Sequence, residues 1–421
     1  MSKKLVNILF WVVLATATVA GLVGIGMRVS GGLRTTNLGS TIPWGLWLAL
    51  YIYFIGLSAG AFLISSLVYV FGVERFRPVG RLALFTALCC LITAVLFVWI
   101  DLGHMERFWR LFLHPDFQSL LTWVIWLYAF YFLLLSAELW LEMRQDLIRW
   151  KSQPGIKGTL GRILSLGAKD LSPESRTKDL RTVKILGSIG VPLAIMFHGG
   201  VGAVFGVTAA RPAWNSGLYP IIFLASALAS GGALLTFIYA FFSPDRGSEA
   251  HRSLVVTLGQ ITLGLVLLDA LFTFSEFLIA LYGAVPGHSS PLLKMMTGPF
   301  WYVFWIFQVG LGVVVPVVLI GLVRSTRRSV FWIGVACAAV VLGFVGVRLN
   351  IVIPPLSVPE LSAIPEAFPD PRIQPTYFPS GVEWLSSVGV VSLGVLIFAL
   401  GLSLLPIKTS ETSEVLETSE V

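Results

Sequence analysis

The sequence predicts an all-α polytopic membrane protein of about ten transmembrane helices. Three observations predict it. The 421-residue chain is 56% hydrophobic and only 12% charged, with a mean hydropathy of +0.86. Apolar runs near the length that crosses a hydrocarbon core, about twenty residues, recur along almost the whole chain. Lys and Arg alternate in density from one connection to the next, as they do in multi-pass proteins.

In chain order the expected spans are roughly 5–27, 43–71, 79–101, 118–140, 183–207, 217–243, 254–284, 300–324, 329–353 and 385–406. Lys3 and Lys4 before the first run, with Ala15-Thr16-Ala17 within it, resemble a signal peptide. The apolar run continues to Met27, which favours an uncleaved helix. Placing the N-terminus and the even-to-odd connections in the cytoplasm assigns 21 of the 29 Lys and Arg residues to that side and 8 to the other. Both termini are therefore expected in the cytoplasm, with the spans in the cytoplasmic membrane. The net charge of +7 follows from this topology and calls for no nucleic acid.

Residues 1–408 are expected to form one integral membrane domain, with a first bundle at about 43–207 and a second at about 217–353. The helices at 5–27 and 385–406 flank them. The division rests on a repeat. Gly45-Leu46-Trp47 and Ser58-Ala59-Gly60-Ala61-Phe62-Leu63 recur 172 residues later as Gly217-Leu218-Tyr219 and Ser230-Gly231-Gly232-Ala233-Leu234-Leu235. Both copies start on the outer side, so the repeat is parallel. The plainer explanation is that small residues are common wherever membrane helices touch.

Four connecting segments stand out. Residues 143–184 are basic and rich in Gly and Ser, and read as a short amphipathic excursion on the cytoplasmic side. Residues 285–299 are a candidate docking loop. Residues 354–379 hold eight prolines, whose fixed φ angles predict a stiff, extended covering. The acidic tail 409–421 repeats Thr-Ser-Glu and reads as disordered.

Ionisable groups inside a bilayer cost several kcal/mol unless they face protein, water or a polar ligand. They therefore mark the candidate chemistry. The densest group closes the third span, where Trp99-Ile100-Asp101-Leu102-Gly103-His104-Met105-Glu106-Arg107-Phe108-Trp109 leads to Leu113-His114-Pro115. This is either a reactive site or an interfacial anchor in the aromatic belt. In the seventh span Thr262, Asp269, Thr273 and Glu276 share one helical face, either a proton route or a polar seam between bundles. The repeat offset aligns Glu276 with His104. In the fourth span Tyr128 and Tyr131 come first, and Glu138 after them is a solvated helix end or a cytoplasmic proton entry. His198 in the fifth span is a hydrogen-bonded core residue or a ligand. Two-haem chemistry is excluded unless Met serves as a ligand, because only His104 and His198 among five histidines sit at useful depth. Cys89, Cys90 and Cys337 have no metal-site spacing, so no iron–sulfur cluster or thiolate metal site of the chain's own is expected.

Taken together, several motifs resemble the NrfD/PsrC family, the membrane subunits of polysulfide reductase. They are Asn37-Leu38-Gly39 with Ile42-Pro43-Trp44-Gly45-Leu46-Trp47, Asp101-Leu102-Gly103 with Glu106-Arg107-Phe108-Trp109 and Leu113-His114-Pro115, and Ala210-Arg211-Pro212-Ala213-Trp214-Asn215-Ser216. Arg348-Leu349-Asn350, Tyr377-Phe378-Pro379 and Glu383-Trp384 resemble its ten-helix branch, which includes membrane subunits of sulfite-reduction and hydrogenase complexes. The resemblance implies a quinone or quinol site near the outer face in the first bundle, with no bound haem, cluster or metal. It also implies electron exchange with an iron–sulfur subunit on that face, beside a further catalytic or cytochrome subunit. Menaquinone or ubiquinone is then the substrate. Asp101 maps onto the family's Asp-Leu-Gly aspartate and would exchange the quinol proton. His104 stands where many relatives carry Arg, so it is a quinone partner or a substitute at the rim. Arg107 would orient the headgroup or stabilise Asp101, with Asn37, Tyr128 and His198 as further quinone-binding candidates. Asp269, Thr273, Glu276 and Glu138 would form the proton path. The competing class is a secondary transporter, or a non-redox anchor, with Asp269 at the midplane.

Overall fold

The computed structural model describes residues 3–361 and 363–407, so the acidic tail expected at 409–421 lies outside the described residues. Among the described residues every regular element is helical, and ten helices are long and apolar enough to cross a membrane. We number them α1 (Lys3–Gly31), α2 (Leu46–Tyr69), α3 (Arg77–Asp101), α4 (Leu120–Trp150) and α5 (Pro173–Gly206). There follow α6 (Tyr219–Phe242), α7 (Glu249–Gly283), α8 (Val303–Leu322), α9 (Val330–Leu356) and α10 (Gly381–Leu404).

The apolar runs locate the spans, but several helices outlast them. α4 continues to Trp150 and α5 starts at Pro173, so most of the basic 143–184 segment is helical and only Ile156–Leu164 forms a separate short helix. Lys, Arg and Glu are good helix formers, and polar pairs hold the two extensions together. One is Arg144 Nε to Asp179 Oδ2 at 2.8 Å. Starts follow capping chemistry. The Ser172 side chain accepts from Ser175 N with Pro173 in the first turn, Ser248 accepts from His251 N, and Ser380 and Glu383 form a reciprocal capping box. Residues 285–299 are mostly a helix, Pro286–Thr297, rather than a loop. Pro354 and Pro355 complete the last turn of α9, and Ala363–Ala367 is helical, so the extended covering is shorter than its prolines suggest.

α8 is wound more loosely than an α-helix. Val315 N donates to Gly310 O, and Val323 N to Val318 O at 3.0 Å, both five residues back. Such winding is rare over this length, and a hydrophobic run of ordinary composition does not announce it.

α2 and α6 form the centre. α2 packs on α3, α5, α6 and α9, and α6 packs on α5, α7 and α9. The pairings recur in the two halves, α2 on α3 as α6 on α7, and α4 on α5 as α8 on α9. Where α2 crosses α6, a Cβ on Gly60 would lie 2.1 Å from the Ala227 carbonyl oxygen, and one on Gly231 2.6 Å from Gly60 Cα. The flanking helices α1 and α10 pack on each other through Gly21 and Gly389, where a Cβ added to Gly21 would lie 1.9 Å from backbone. One end of the bundle, the basic end, carries Ile156–Leu164, and the opposite end is rich in proline.

Because no side chain can give way at the α2–α6 contact, Gly60→Val is expected to destabilise the protein by about 1–3 kcal/mol or more. Gly264→Ala, with open space around it, is expected not to lower stability. Thermal unfolding of the detergent-purified protein distinguishes the two.

Candidate functional site: a cavity at the proline-rich end

A cavity of about 1100 Å³ opens at the proline-rich end. Its walls come from the α1–α2 connection, the end of α3, the helix Pro286–Thr297, the end of α9 and the strap 371–378. The strap is tied along both edges. Ser40 N donates to Arg372 O at 2.8 Å and Thr41 Oγ1 to Ile373 O at 2.6 Å. On the other edge Lys294 Nζ donates to Ser357 O at 2.7 Å and reaches Pro375 O at 3.5 Å. Desolvation holds the Lys294 ammonium below the usual lysine range. Met295, Phe300 and Ile353 supply apolar wall, and Arg34, Lys294 and Arg372 make the rim cationic.

Among the described residues Asp101 is the one carboxylate on that wall, at the last position of α3. A buried arginine from α1 fixes the backbone around it. Arg28, 2% exposed, donates from Nε to Ile100 O at 2.9 Å and from Nη2 to Leu102 O at 2.7 Å. It thereby caps the end of α3, where helix carbonyls lack partners. The same guanidinium sits 5.7 Å over the Trp47 ring and close enough to Asp101 for their charges to attract. Asp101 Oδ1 is buried and has no hydrogen-bond partner. A carboxylate oxygen in that state is costly unless a ligand or proton satisfies it.

Behind the strap, Glu383 is fully buried at the start of α10. It accepts from Asn37 N (3.0 Å), Ser380 N (2.9 Å) and Tyr377 Oη (2.5 Å). Tyr377 Oη in turn accepts from Leu46 N at 2.9 Å. Burial, and then the adjacent Glu383 carboxylate, push the Tyr377 phenol well above its ordinary value.

Residues 34–360 match the family model described as polysulphide reductase, NrfD. The chain belongs to the NrfD family. It is 39% identical to a selenate reductase subunit of Mesobacillus selenatarsenatis over 413 residues, covering 97% of this chain and 95% of that one. It is 26% identical to the Hdr-like menaquinol oxidoreductase integral membrane subunit of Archaeoglobus fulgidus, covering 93% and 91%. A third relative is the menaquinone reductase integral membrane subunit of Nitratidesulfovibrio vulgaris, 25% identical with 93% and 89% covered.

In this NrfD-family chain the cavity gathers Asp101 and Asn37 but not the other quinone-binding candidates. His104 is two-thirds exposed, and its Nδ1 lies 3.1 Å from Glu106 Oε1. Arg107 also turns to Glu106, 3.5 Å away, so Arg28 and not Arg107 is the cation beside Asp101. The 3-10 turn Met105–Arg107 after α3 points these side chains outward. Asn37 lines the cavity, with its amide donating to Phe378 O at 2.8 Å. Tyr128 is buried against Tyr51, hydroxyl to hydroxyl, away from the cavity wall.

A second polar cluster lies between the halves. His198 Nε2 donates to Phe223 O at 2.9 Å, leaving Nδ1 without a partner. Arg348 is 1% exposed, and its guanidinium lies 5.0 Å from the Phe223 ring centroid and near Asp269. Asp269 and Ser226 are also buried there, with the Ser226 hydroxyl beside the Asp269 carboxylate. Toward the proline-rich end, Thr273 and Glu276 line a small cavity of about 90 Å³ with His288, Gln308 and Asn350. Glu276 Oε1 accepts there from Ser216 Oγ at 2.5 Å, and Asn350 Nδ2 donates to Gln308 Oε1 at 2.7 Å. Glu138 is not part of this series. It lies buried near the basic end between α4 and Gly187 of α5, with Oε1 unpartnered.

Arg28, Arg348, Tyr377 and Glu383 are among the polar residues that sequence reasoning did not assign to a site. Arg28 was legible only as a basic residue closing the first span, whereas Glu383 had a signal in the Ser380-to-Glu383 spacing. Arg28→Gln should leave one or both of the Ile100 and Leu102 carbonyls unpaired and cost about 1–3 kcal/mol. Thermal unfolding beside the parent protein checks this, and an unchanged midpoint contradicts the clamp.

Proposed function

We propose that this chain is the quinone-handling membrane subunit of a respiratory oxidoreductase complex. Menaquinol or ubiquinol is oxidised, or the quinone reduced, in the cavity that Asp101 lines. The observation that carries the reading is Asp101 Oδ1, buried, unpartnered and set in the wall of a cavity of about 1100 Å³. The names of the menaquinol oxidoreductase and menaquinone reductase relatives support quinone as the substrate.

Quinol oxidation yields two electrons and two protons. Asp101 would take one proton at Oδ1 and the other would leave to water through the open mouth of the cavity, while Arg28 holds the backbone on either side so that the oxygen stays aimed at the ligand. The apolar wall suits a ring and the start of an isoprenoid tail. The cationic rim disfavours cationic ligands, and among the described residues Asp101 is the one carboxylate that lines the cavity. Electrons would pass to an iron–sulfur subunit seated over the proline-rich end, with a further catalytic or cytochrome subunit beyond it. The density of Lys and Arg at the basic end supports a cytoplasmic position for that end and for both termini.

Asp269, Thr273 and Glu276 on α7 support a separate proton route between the buried Arg348 and the smaller cavity. Glu138 would serve the basic end of the first half. The transporter reading is weaker, because carrier sites typically use discontinuous helices, and α7 runs unbroken from Glu249 to Gly283 past Asp269.

Asp101→Asn is expected to lower quinol oxidation about 100-fold or more, in line with the loss of a general base, with complex assembly unchanged. His104→Ala should change it less than about threefold, since that side chain faces away from the cavity. Turnover with a soluble quinol and the purified complex measures both, and normal turnover in Asp101→Asn defeats the assignment. Asp269→Asn in proteoliposomes is expected to reduce proton translocation more than quinol turnover. If both persist, the α7 series is structural.

A further inference from the structure

Between α4 and α5 the chain turns back on itself. The helix Ile156–Leu164 runs antiparallel to the last turns of α4. A Cβ on Gly161 would lie 2.7 Å from the Leu147 carbonyl oxygen, and Trp140 Nε1 donates to Leu164 O at 2.8 Å. Leu164 thus lies within reach of the Trp140 indole. The apolar run of α4 starts at Leu120, and at 1.5 Å per residue about 30 Å separates that start from Trp140, roughly the hydrocarbon thickness. The far end of the short helix therefore returns to the membrane boundary.

Its faces are inverted relative to a helix in water. The glycine face, Gly158 and Gly161, is buried against α4. Ile156 and Ile163 lie seven residues apart on the opposite face and are 67% and 63% exposed. The following Leu166 is 75% exposed and held at φ 50°, in the left-handed region. A water-facing amphipathic helix buries its apolar side and exposes its polar one. Arg162 and Lys169, both exposed, flank this apolar turn.

We propose that Ile163–Leu166 is an interfacial anchor that binds the anionic phospholipid of the leaflet at the basic end. Ile163 and Leu166 enter the boundary between headgroups and acyl chains, roughly 5–10 Å deep, and Arg162 and Lys169 engage lipid phosphates. Lipid is favoured as the occupant because the turn lies beside the Trp140 indole near the membrane boundary and carries a cation on each side, which complements an anionic leaflet.

Nitroxide labels at Ile163→Cys and Leu166→Cys, with Gln153→Cys as an exposed control, test this in the full chain with its copurifying subunits. Nanodiscs would contain phosphatidylcholine alone or with phosphatidylglycerol. The native cysteines are buried, and the labelled parent supplies the background. Expected is oxygen accessibility several-fold above that of a water-soluble nickel chelate at the two turn positions, and the reverse at 153. Phosphatidylglycerol should deepen the turn, and Arg162→Gln with Lys169→Gln should remove that dependence. Turn labels that match the 153 label overturn the proposal, as does protection from both reagents, which would mean a protein cover. Lipid exposure without any effect of phosphatidylglycerol overturns the anionic-lipid assignment.

Discussion

The backbones of α2 and α6 touch at Gly60, Ala227 and Gly231, closer than any side chain permits. With lipid as solvent there is little hydrophobic drive between helices, so close packing must hold the bundle together. This contact joins the two halves and sets the spacing of everything around it. α5 and α9 pack beside it and bring His198 and Arg348 against Gly56 of α2, with Asp269 near the Arg348 guanidinium. A larger residue at the crossing would part the halves and leave those polar groups without an enclosed site.

Buried polar groups are tolerated in this protein because backbone and charge satisfy them in fixed places. Arg28 directs its donors to two carbonyls at the end of α3. Glu383 takes three donors, two of them backbone N–H groups. Thr41 fastens the strap at Ile373, and Lys294 bonds the end of α9 at Ser357 while reaching the strap at Pro375. Asp101 Oδ1 differs from other unpartnered buried atoms, such as His198 Nδ1 and Glu138 Oε1, in lining the cavity at the proline-rich end. The same contrast separates it from His104 and Arg107, whose exposed ion pairs with Glu106 contribute little in water.

Apolar run length and basic-residue density can be read locally, so the ten spans were legible in the sequence. Their ends were not, because helix extensions beyond the bilayer look polar and are held by pairs such as Arg144 and Asp179. The loose winding of α8 was equally hidden, since it is a matter of which carbonyl each amide finds. Pro354 and Pro355 suggested a break, yet they close a helix, because their neighbours in the last turn carry the remaining hydrogen bonds.

By itself the sequence determined the fold class, the family motifs and Asp101 as the first residue to examine. Each of these depends on composition or on spacing within one segment. Tertiary structure decided which side chains surround that aspartate. Residues 37, 101, 294 and 377 meet at one cavity, with Arg28 clamped beside Asp101, although no periodicity connects them. Their meeting depends on how α1, α9, α10 and the strap pack at one end of the bundle, and that geometry is set by contacts far apart in the chain.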